Sequence, residues 1–111
     1  MSSDWSHTYA YLDSRGAPYG IGAEDLVAKT PGIIQHDPNA VMSFWQQKDI
    51  SHIVPTSQHP ELADSFANWL PEDPLPNHTR QDQVMTADEQ ANAYFDNVHD
   101  AQLIHDHFHL F

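Results

Sequence analysis

The spacing of apolar and polar positions predicts an irregular beginning, a mixed centre and a helical end. Residues 1–22 place three tyrosines among turn-forming glycines and prolines, which predicts an extended N-terminal arm that wraps the core. We expect the tyrosines to dock on the core or on a neighbouring chain, because so many aromatic rings are costly to leave in water. A short helix is predicted over residues 23–29, with Glu24 and Asp25 in its first turn.

The centre of the chain combines one helix with strand-like segments. Asp37-Pro38 is a strong helix start, and the apolar residues that follow it keep helical spacing to about Lys48. Residues 49–54 then form a β-type run that Pro55 ends, and residues 68–71 are the predicted antiparallel partner after a long, irregular connection. These segments predict a small β-hairpin.

The last third of the chain is predicted to be helical. A short helix is expected from Pro76 to about Asp82, and Thr86-Ala-Asp-Glu89 is a capping box for a longer helix over about residues 86–108. The apolar positions on one side of that helix are Ala91, Tyr94, Phe95, Val98, Ala101 and Phe108. The whole pattern predicts an α+β fold, with an arm at 1–22 and a single domain at 23–111 that contains a β-hairpin-plus-helix unit and flanking helices.

Composition restricts the function classes. The chain has 111 residues and 40% apolar content, which fits one small domain, and it carries 16 Asp and Glu against 4 Lys and Arg, for a net charge of −12. Its average field repels nucleic acid and anionic membranes, which counts against a simple DNA-binding module, although a bound divalent cation can change the local charge. Cysteine is absent, so a metal site must use His, Asp, Glu or Asn.

Three short motifs occur in order across residues 49–82. They are Asp49-Ile-Ser-His52-Ile-Val-Pro55, the isolated Asn68, and Asn77-His-Thr-Arg80 at the start of a short helix. The combination resembles the HNH, or His-Me finger, nuclease family. The resemblance implies an HNH-like β-hairpin-plus-helix unit and metal-dependent hydrolysis of DNA phosphodiester bonds.

The resemblance implies a role for each motif residue. His52 would be the general base that activates water, and Asn68 would fix the loop or orient that histidine. Arg80 would contact a phosphate. The catalytic pair is therefore expected to be His52 and Asn68, with Arg80 as the phosphate-binding residue.

The metal ligands implied by the resemblance are Asn77, with His78 as a nearby substitute, and Asp49. The cofactor would be a divalent ion such as Mg²⁺, Mn²⁺, Ni²⁺ or Zn²⁺. Most members of the family place an acid or a histidine immediately before the base, whereas this chain has Ser51. Asp49 lies two positions before Ser51 on the same strand face, because side chains alternate along a strand.

The sequence is compatible with three functions. The first is a phage-associated HNH-type nuclease, active or degenerate, with DNA as its partner. The second is a non-catalytic structural protein on an HNH-like scaffold, with other phage or assembly proteins as partners, and the third is an acidic DNA mimic. No membrane partner is expected, because the longest apolar run is far below about 18 residues and no signal peptide is evident, so we expect the host cytoplasm or a phage particle.

Overall fold

The computed structural model describes the backbone of residues 2–109 and the side chains of residues 5–108. It confirms the predicted α+β class. Along the chain, helices come before and after the two strands of an antiparallel sheet. The helices and strands are α1 (Ser2–Gly16), α2 (Ala23–Lys29), α3 (Pro38–Gln46), β1 (Asp49–His52), β2 (Trp69–Glu72), α4 (Pro74–Arg80) and α5 (Ala87–His109).

The first 22 residues do not form the predicted extended arm, and that prediction was wrong. Most of the segment is helix α1, and Met1 lies outside the described residues. Trp5, Thr8 and Leu12 are spaced so that they share one side of a helix, and Thr8 and Leu12 are fully buried. Burial of this side against α2 and α3 outweighs the turn-forming glycines and prolines that follow. Because Leu12 belongs to the main core, this segment is part of the same domain.

A tight turn after α1 brings the chain back onto the core. Ile21 N–H donates to the Gly16 carbonyl oxygen over 3.0 Å, and a Cβ at Gly16 would lie 2.0 Å from the Ile21 carbonyl oxygen, so only glycine fits there. Tyr11 and Tyr19 pack against the core, as predicted for them. Tyr9 is more exposed and packs against Trp5, with the ring centroids 5.6 Å apart.

Helix α3 begins at the predicted position and supplies the largest core side chains. The Asp37 carboxylate accepts hydrogen bonds from two backbone N–H groups of the first turn, which is the expected N-cap. Phe44 and Trp45 are completely buried, and the Trp45 indole N–H donates to Thr30 Oγ1 over 3.0 Å. The buried indole is therefore satisfied, which matters because an unpaired buried donor is costly.

The predicted hairpin and the helix after it are confirmed with small shifts in their limits. Asp49 pairs with Glu72 and His52 with Trp69, so the partner strand begins one residue later than predicted. Helix α4 covers residues 74–80 rather than 76–82 and packs against β1. The hairpin and α4 together form a ββα unit.

Helix α5 lies where it was predicted, but most of its apolar side chains do not face the core. Its buried residues are Ala93, Asn97, Ala101 and Ile104, and only Ala101 belongs to the apolar side described from the sequence. Small side chains at two of these positions let α5 approach α3 and β2 closely. Like the other helices within residues 2–109, α5 lacks the combination of length and apolar character needed to cross a bilayer.

Candidate active site

Arg80, in the last turn of α4, is buried instead of facing solvent. Its two terminal nitrogens form a two-pronged ion pair with the Glu72 carboxylate of β2, and the side chains of both residues are 4% exposed. Nη2 also donates to Ser51 Oγ over 2.9 Å. Arg80 therefore does not fit the phosphate-binding role predicted for it, because both terminal nitrogens of its guanidinium are engaged inside the protein.

Glu89 connects this buried ion pair to the start of α5. One of its carboxylate oxygens accepts from Arg80 Nη1 over 3.0 Å, and the other accepts from the Thr86 backbone N–H over 2.8 Å. Glu89 N–H in turn donates to Thr86 Oγ1, which completes the predicted capping box. The Thr86 N–H and the Arg80 guanidinium lower the pKa of Glu89. Burial alone would lower the pKa of Arg80, but its bonds to Glu72 and Glu89 raise it above its ordinary value.

Ser51 occupies the position where the HNH-type motif usually has an acid or a histidine. Its hydroxyl oxygen lies 2.7 Å from Glu72 Oε1 and 2.9 Å from Asn77 Oδ1, and the residue is buried. A carboxylate at position 51 would meet the Glu72 carboxylate across a buried contact, and like charges there are strongly unfavourable. The neutral hydroxyl therefore fits this side of the hairpin better than an acid would.

The three predicted metal ligands are brought together at the exposed edge of the ββα unit. Asp49 Oδ2 accepts from Asn77 Nδ2 over 3.0 Å and lies 3.1 Å from His78 Nε2. The His78 side chain is largely exposed, and that of Asp49 is partly so. Among the described residues, no group of three or more His, Cys, Asp or Glu side chains is placed to hold a metal, so this set depends on the Asn77 amide.

The donor chemistry of Asp49, Asn77 and His78 fits a divalent cation if the Asn77 amide turns over. In the present orientation Asn77 Oδ1 faces the Ser51 hydroxyl, whose single proton cannot be donated to both Asn77 and Glu72. Turning the amide lets Nδ2 donate to Ser51 Oγ and directs Oδ1 toward Asp49; the two orientations are nearly indistinguishable in shape. One carboxylate, one amide oxygen and one imidazole nitrogen suit Mn²⁺, Ni²⁺ or Zn²⁺ better than Mg²⁺.

His52, the predicted base, has one ring nitrogen held and the other available. Nε2 lies 2.8 Å from the Ala63 carbonyl oxygen, and a carbonyl only accepts, so Nε2 carries the proton. The neutral ring then has its lone pair on Nδ1, which makes no hydrogen bond to any described residue. The ring packs on Tyr19 at a centroid distance of 4.7 Å. This tautomer is the one a general base at Nδ1 requires.

Asn68 holds the loop that connects the two strands. Its buried side chain accepts from the Val54 N–H over 2.9 Å and donates to the Val54 carbonyl over 3.1 Å and to the Leu62 carbonyl over 3.3 Å. The next residue, Ala63, is the hydrogen-bond partner of His52. Asn68 thus fixes the loop that carries the hydrogen-bond partner of His52.

Two adjoining cavities lie beside these residues and share Tyr19, Ile50 and Asn77 as walls. The larger, about 350 Å³, is lined by Asp49 and His78, and the smaller, about 150 Å³, by His52. They form a cleft with Asp49 and His78 toward one end, His52 toward the other, and Asn77 in the shared wall. We call it the ββα cleft.

Arg15 lines the larger cavity and was not identified from the sequence. Its guanidinium donates to the Tyr11 hydroxyl and to the carbonyl oxygens of Trp45 and Lys48, all of which are neutral. Within the described residues its positive charge is not paired with a carboxylate. The sequence offered no signal for this position, because residues 1–22 were expected to be an extended arm distant from the motif.

The remaining cations also make internal contacts. Lys48 is buried, and its ammonium contacts Asp73 and Asp100 at 2.6 Å each. Lys29 donates to the Trp69 carbonyl over 2.7 Å and lies over the Phe66 ring, and burial lowers the pKa of this lysine. With Arg15 and Arg80, all four Lys and Arg side chains of the chain are engaged within the fold. The outer surface is therefore strongly anionic.

Comparisons of the chain with protein-family models, with curated proteins and with solved structures find no match.

Proposed function

We propose that the chain is an HNH-type, metal-dependent enzyme that hydrolyses phosphodiester bonds of DNA in the ββα cleft. The observation that carries the proposal is the placement of Asp49, Asn77 and His78 on one cavity and of His52 on the adjoining one. Activation of water beside a phosphate requires at least a metal site and a general base, and the candidate ligands and the free Nδ1 of His52 could supply them.

In this proposal Asp49, Asn77 and His78 hold the divalent ion, which would stabilise negative charge on the phosphate and on the leaving oxygen. His52 Nδ1 takes a proton from water as the water oxygen attacks phosphorus. The bond from phosphorus to the leaving oxygen then breaks, and that oxygen is protonated by solvent. The Ala63 carbonyl keeps the Nε2–H in place, so Nδ1 is the ring atom that faces the water.

Arg15 is the residue best placed to receive the substrate phosphate. It lines the cavity that Asp49 and His78 also line, and its guanidinium charge has only neutral partners. Two of its five N–H donors remain after the three bonds inside the fold, so a phosphate oxygen can be bound without breaking them. A single such residue predicts weak, salt-sensitive binding of DNA.

Metal binding tests the proposal directly. We expect isothermal titration calorimetry to detect binding of Mn²⁺ or Zn²⁺ to the natural chain, and Asp49→Asn to weaken it at least about tenfold, because the variant removes the one carboxylate of the set. Asp96→Asn is the matched control, since it removes the same charge from an exposed position on α5. In a plasmid-nicking assay with Mg²⁺, Mn²⁺, Ni²⁺ and Zn²⁺ in turn, Asp49→Asn should likewise be less active than the natural chain and Asp96→Asn. Absence of both binding and nicking would contradict the proposal.

The role of Arg15 is tested by comparing two substitutions. Arg15→Gln is expected to raise the KM for DNA about tenfold, and Arg15→Lys to raise it less, because the lysine keeps the charge. Lys29→Gln is the control, because it removes another cation that lacks a carboxylate partner but lies away from the cleft. Equal effects of Arg15→Gln and Lys29→Gln would show that only net charge matters.

The second candidate function is a non-catalytic component of a protein assembly, phage-associated or otherwise. The observation that favours it is the engagement of all four Lys and Arg side chains within a chain of net charge −12. Such a surface repels DNA, whereas it does not hinder contact with an uncharged or basic protein surface. Natural protein that binds no metal and nicks no DNA would favour this function.

A further inference from the structure

We propose that two copies of this chain associate through one side of α5, which we call the α5 seam and define as Ala91, Tyr94, Phe95 and Val98. This interface is independent of the proposed function, because none of its residues lines the ββα cleft.

The α5 seam exposes several large apolar side chains next to one another, and such a patch is costly to leave in water. Tyr94 is 64% exposed, Phe95 67% and Val98 43%, and the two rings pack edge to face at 5.8 Å. Ala87, Ala91, Tyr94 and Val98 follow one another at intervals of four, three and four residues. That spacing is typical of helices that pair lengthwise with another helix.

The charge distribution permits a second copy as the occupant, and the shape of the patch, described below, favours it. Helix α5 carries five acids, but Glu89, Asp96 and Asp100 lie on the side of the helix away from the seam, and Asp88 and Asp106 lie near its two ends. Two chains of net charge −12 repel each other least when they meet through a surface without acids, and the centre of the seam is such a surface. A basic partner would instead be expected to meet carboxylates on its own contact surface.

A groove beside the α5 seam adds a receptor for an apolar side chain. It has a volume of about 450 Å³, and its walls include Tyr94 and Val98 on one side and Pro31 and Leu70 on the other. A two-fold interface brings the same patch of both copies together, so a patch that has both projecting rings and a groove is self-complementary. Aromatic rings buried at the centre of an interface usually contribute most of its affinity.

Sedimentation equilibrium of the full chain tests this inference. We expect the natural chain to form a dimer with a dissociation constant below about 100 µM, and Tyr94→Glu to raise that constant more than about tenfold. Leu103→Glu is the matched control, because Leu103 is an exposed apolar residue of the same helix on its acid-bearing side, and this variant should dimerise normally. Circular dichroism should show that both variants keep the helical content of the natural chain.

Salt gives a second readout that a basic partner would not reproduce. Raising the ionic strength should strengthen the dimer, since it screens the repulsion between two anionic copies. A natural chain that stays monomeric up to about 1 mM would overturn the inference. So would a dimer that Leu103→Glu dissociates and Tyr94→Glu does not.

Discussion

His52→Ala is expected to lower the rate of metal-dependent nicking by about 10²–10⁴-fold while leaving the fold intact. The expectation follows from the free Nδ1 of a ring whose Nε2 is held by the Ala63 carbonyl. Loss of that single hydrogen bond should cost only about 1 kcal/mol in the free energy of unfolding. Single-turnover nicking and thermal unfolding, measured on the same preparation, separate the two effects.

His59→Ala is the appropriate control for this experiment. His59 is on the same loop between the strands, its side chain is exposed, and among the described residues its ring is hydrogen-bonded to the Glu61 carboxylate alone. Removing it should change neither nicking nor stability by a measurable amount. Nicking that persists in His52→Ala at the natural rate would show that another group activates water.

Arg80→Met is expected to lower the free energy of unfolding by about 3–5 kcal/mol, the largest effect on stability predicted for this chain. The substitution leaves the buried Glu72 carboxylate without its ion-pair partner and removes the link from the hairpin to Glu89 of α5. For a domain of this size the melting temperature should fall by more than about 10 °C. Urea unfolding followed by circular dichroism measures the change.

A double variant distinguishes the cost of an unpaired charge from the contribution of the pair itself. Arg80→Met combined with Glu72→Leu should recover much of the lost stability, because an apolar pair no longer leaves a charge buried. Ser51 would still have Asn77 as a hydrogen-bond partner. If Arg80→Met alone unfolds at the natural temperature, the guanidinium cannot be buried as described.

Helix caps and the β-type run, which are signals between residues close in the sequence, correctly predicted the helix starts and the first strand. Asp37-Pro38 and the Thr86 to Glu89 capping box set the starts of α3 and α5, since each places a side-chain acceptor at unpaired backbone N–H groups. The β-type run before Pro55 predicted β1, and the motif named Asp49, Asn77 and His78, which the fold brings together. These features depend on neighbours in sequence or on a compact unit of about thirty residues.

Features that depend on distant packing were not predicted. Helix α1 forms because Thr8 and Leu12 are buried against helices that follow later in the chain, and no residue within the segment signals that contact. Arg15 lies at the cleft because the same packing of α1 on the later helices places it there. Arg80 was expected to bind phosphate because of the motif it belongs to, yet its terminal nitrogens bond to Glu72, which ends β2 eight residues earlier and whose burial the sequence did not reveal.

The internal placement of every lysine and arginine also affects how the chain responds to proteases. Enzymes that cleave after Lys or Arg find only four possible bonds, and the side chains that direct them are buried or half-buried and hydrogen-bonded within the fold. Cleavage must therefore await opening of the structure, so the rate of digestion measures the unfolded population. Residues 81–111 contain no Lys or Arg, so any fragment that contains α5 would keep that helix whole.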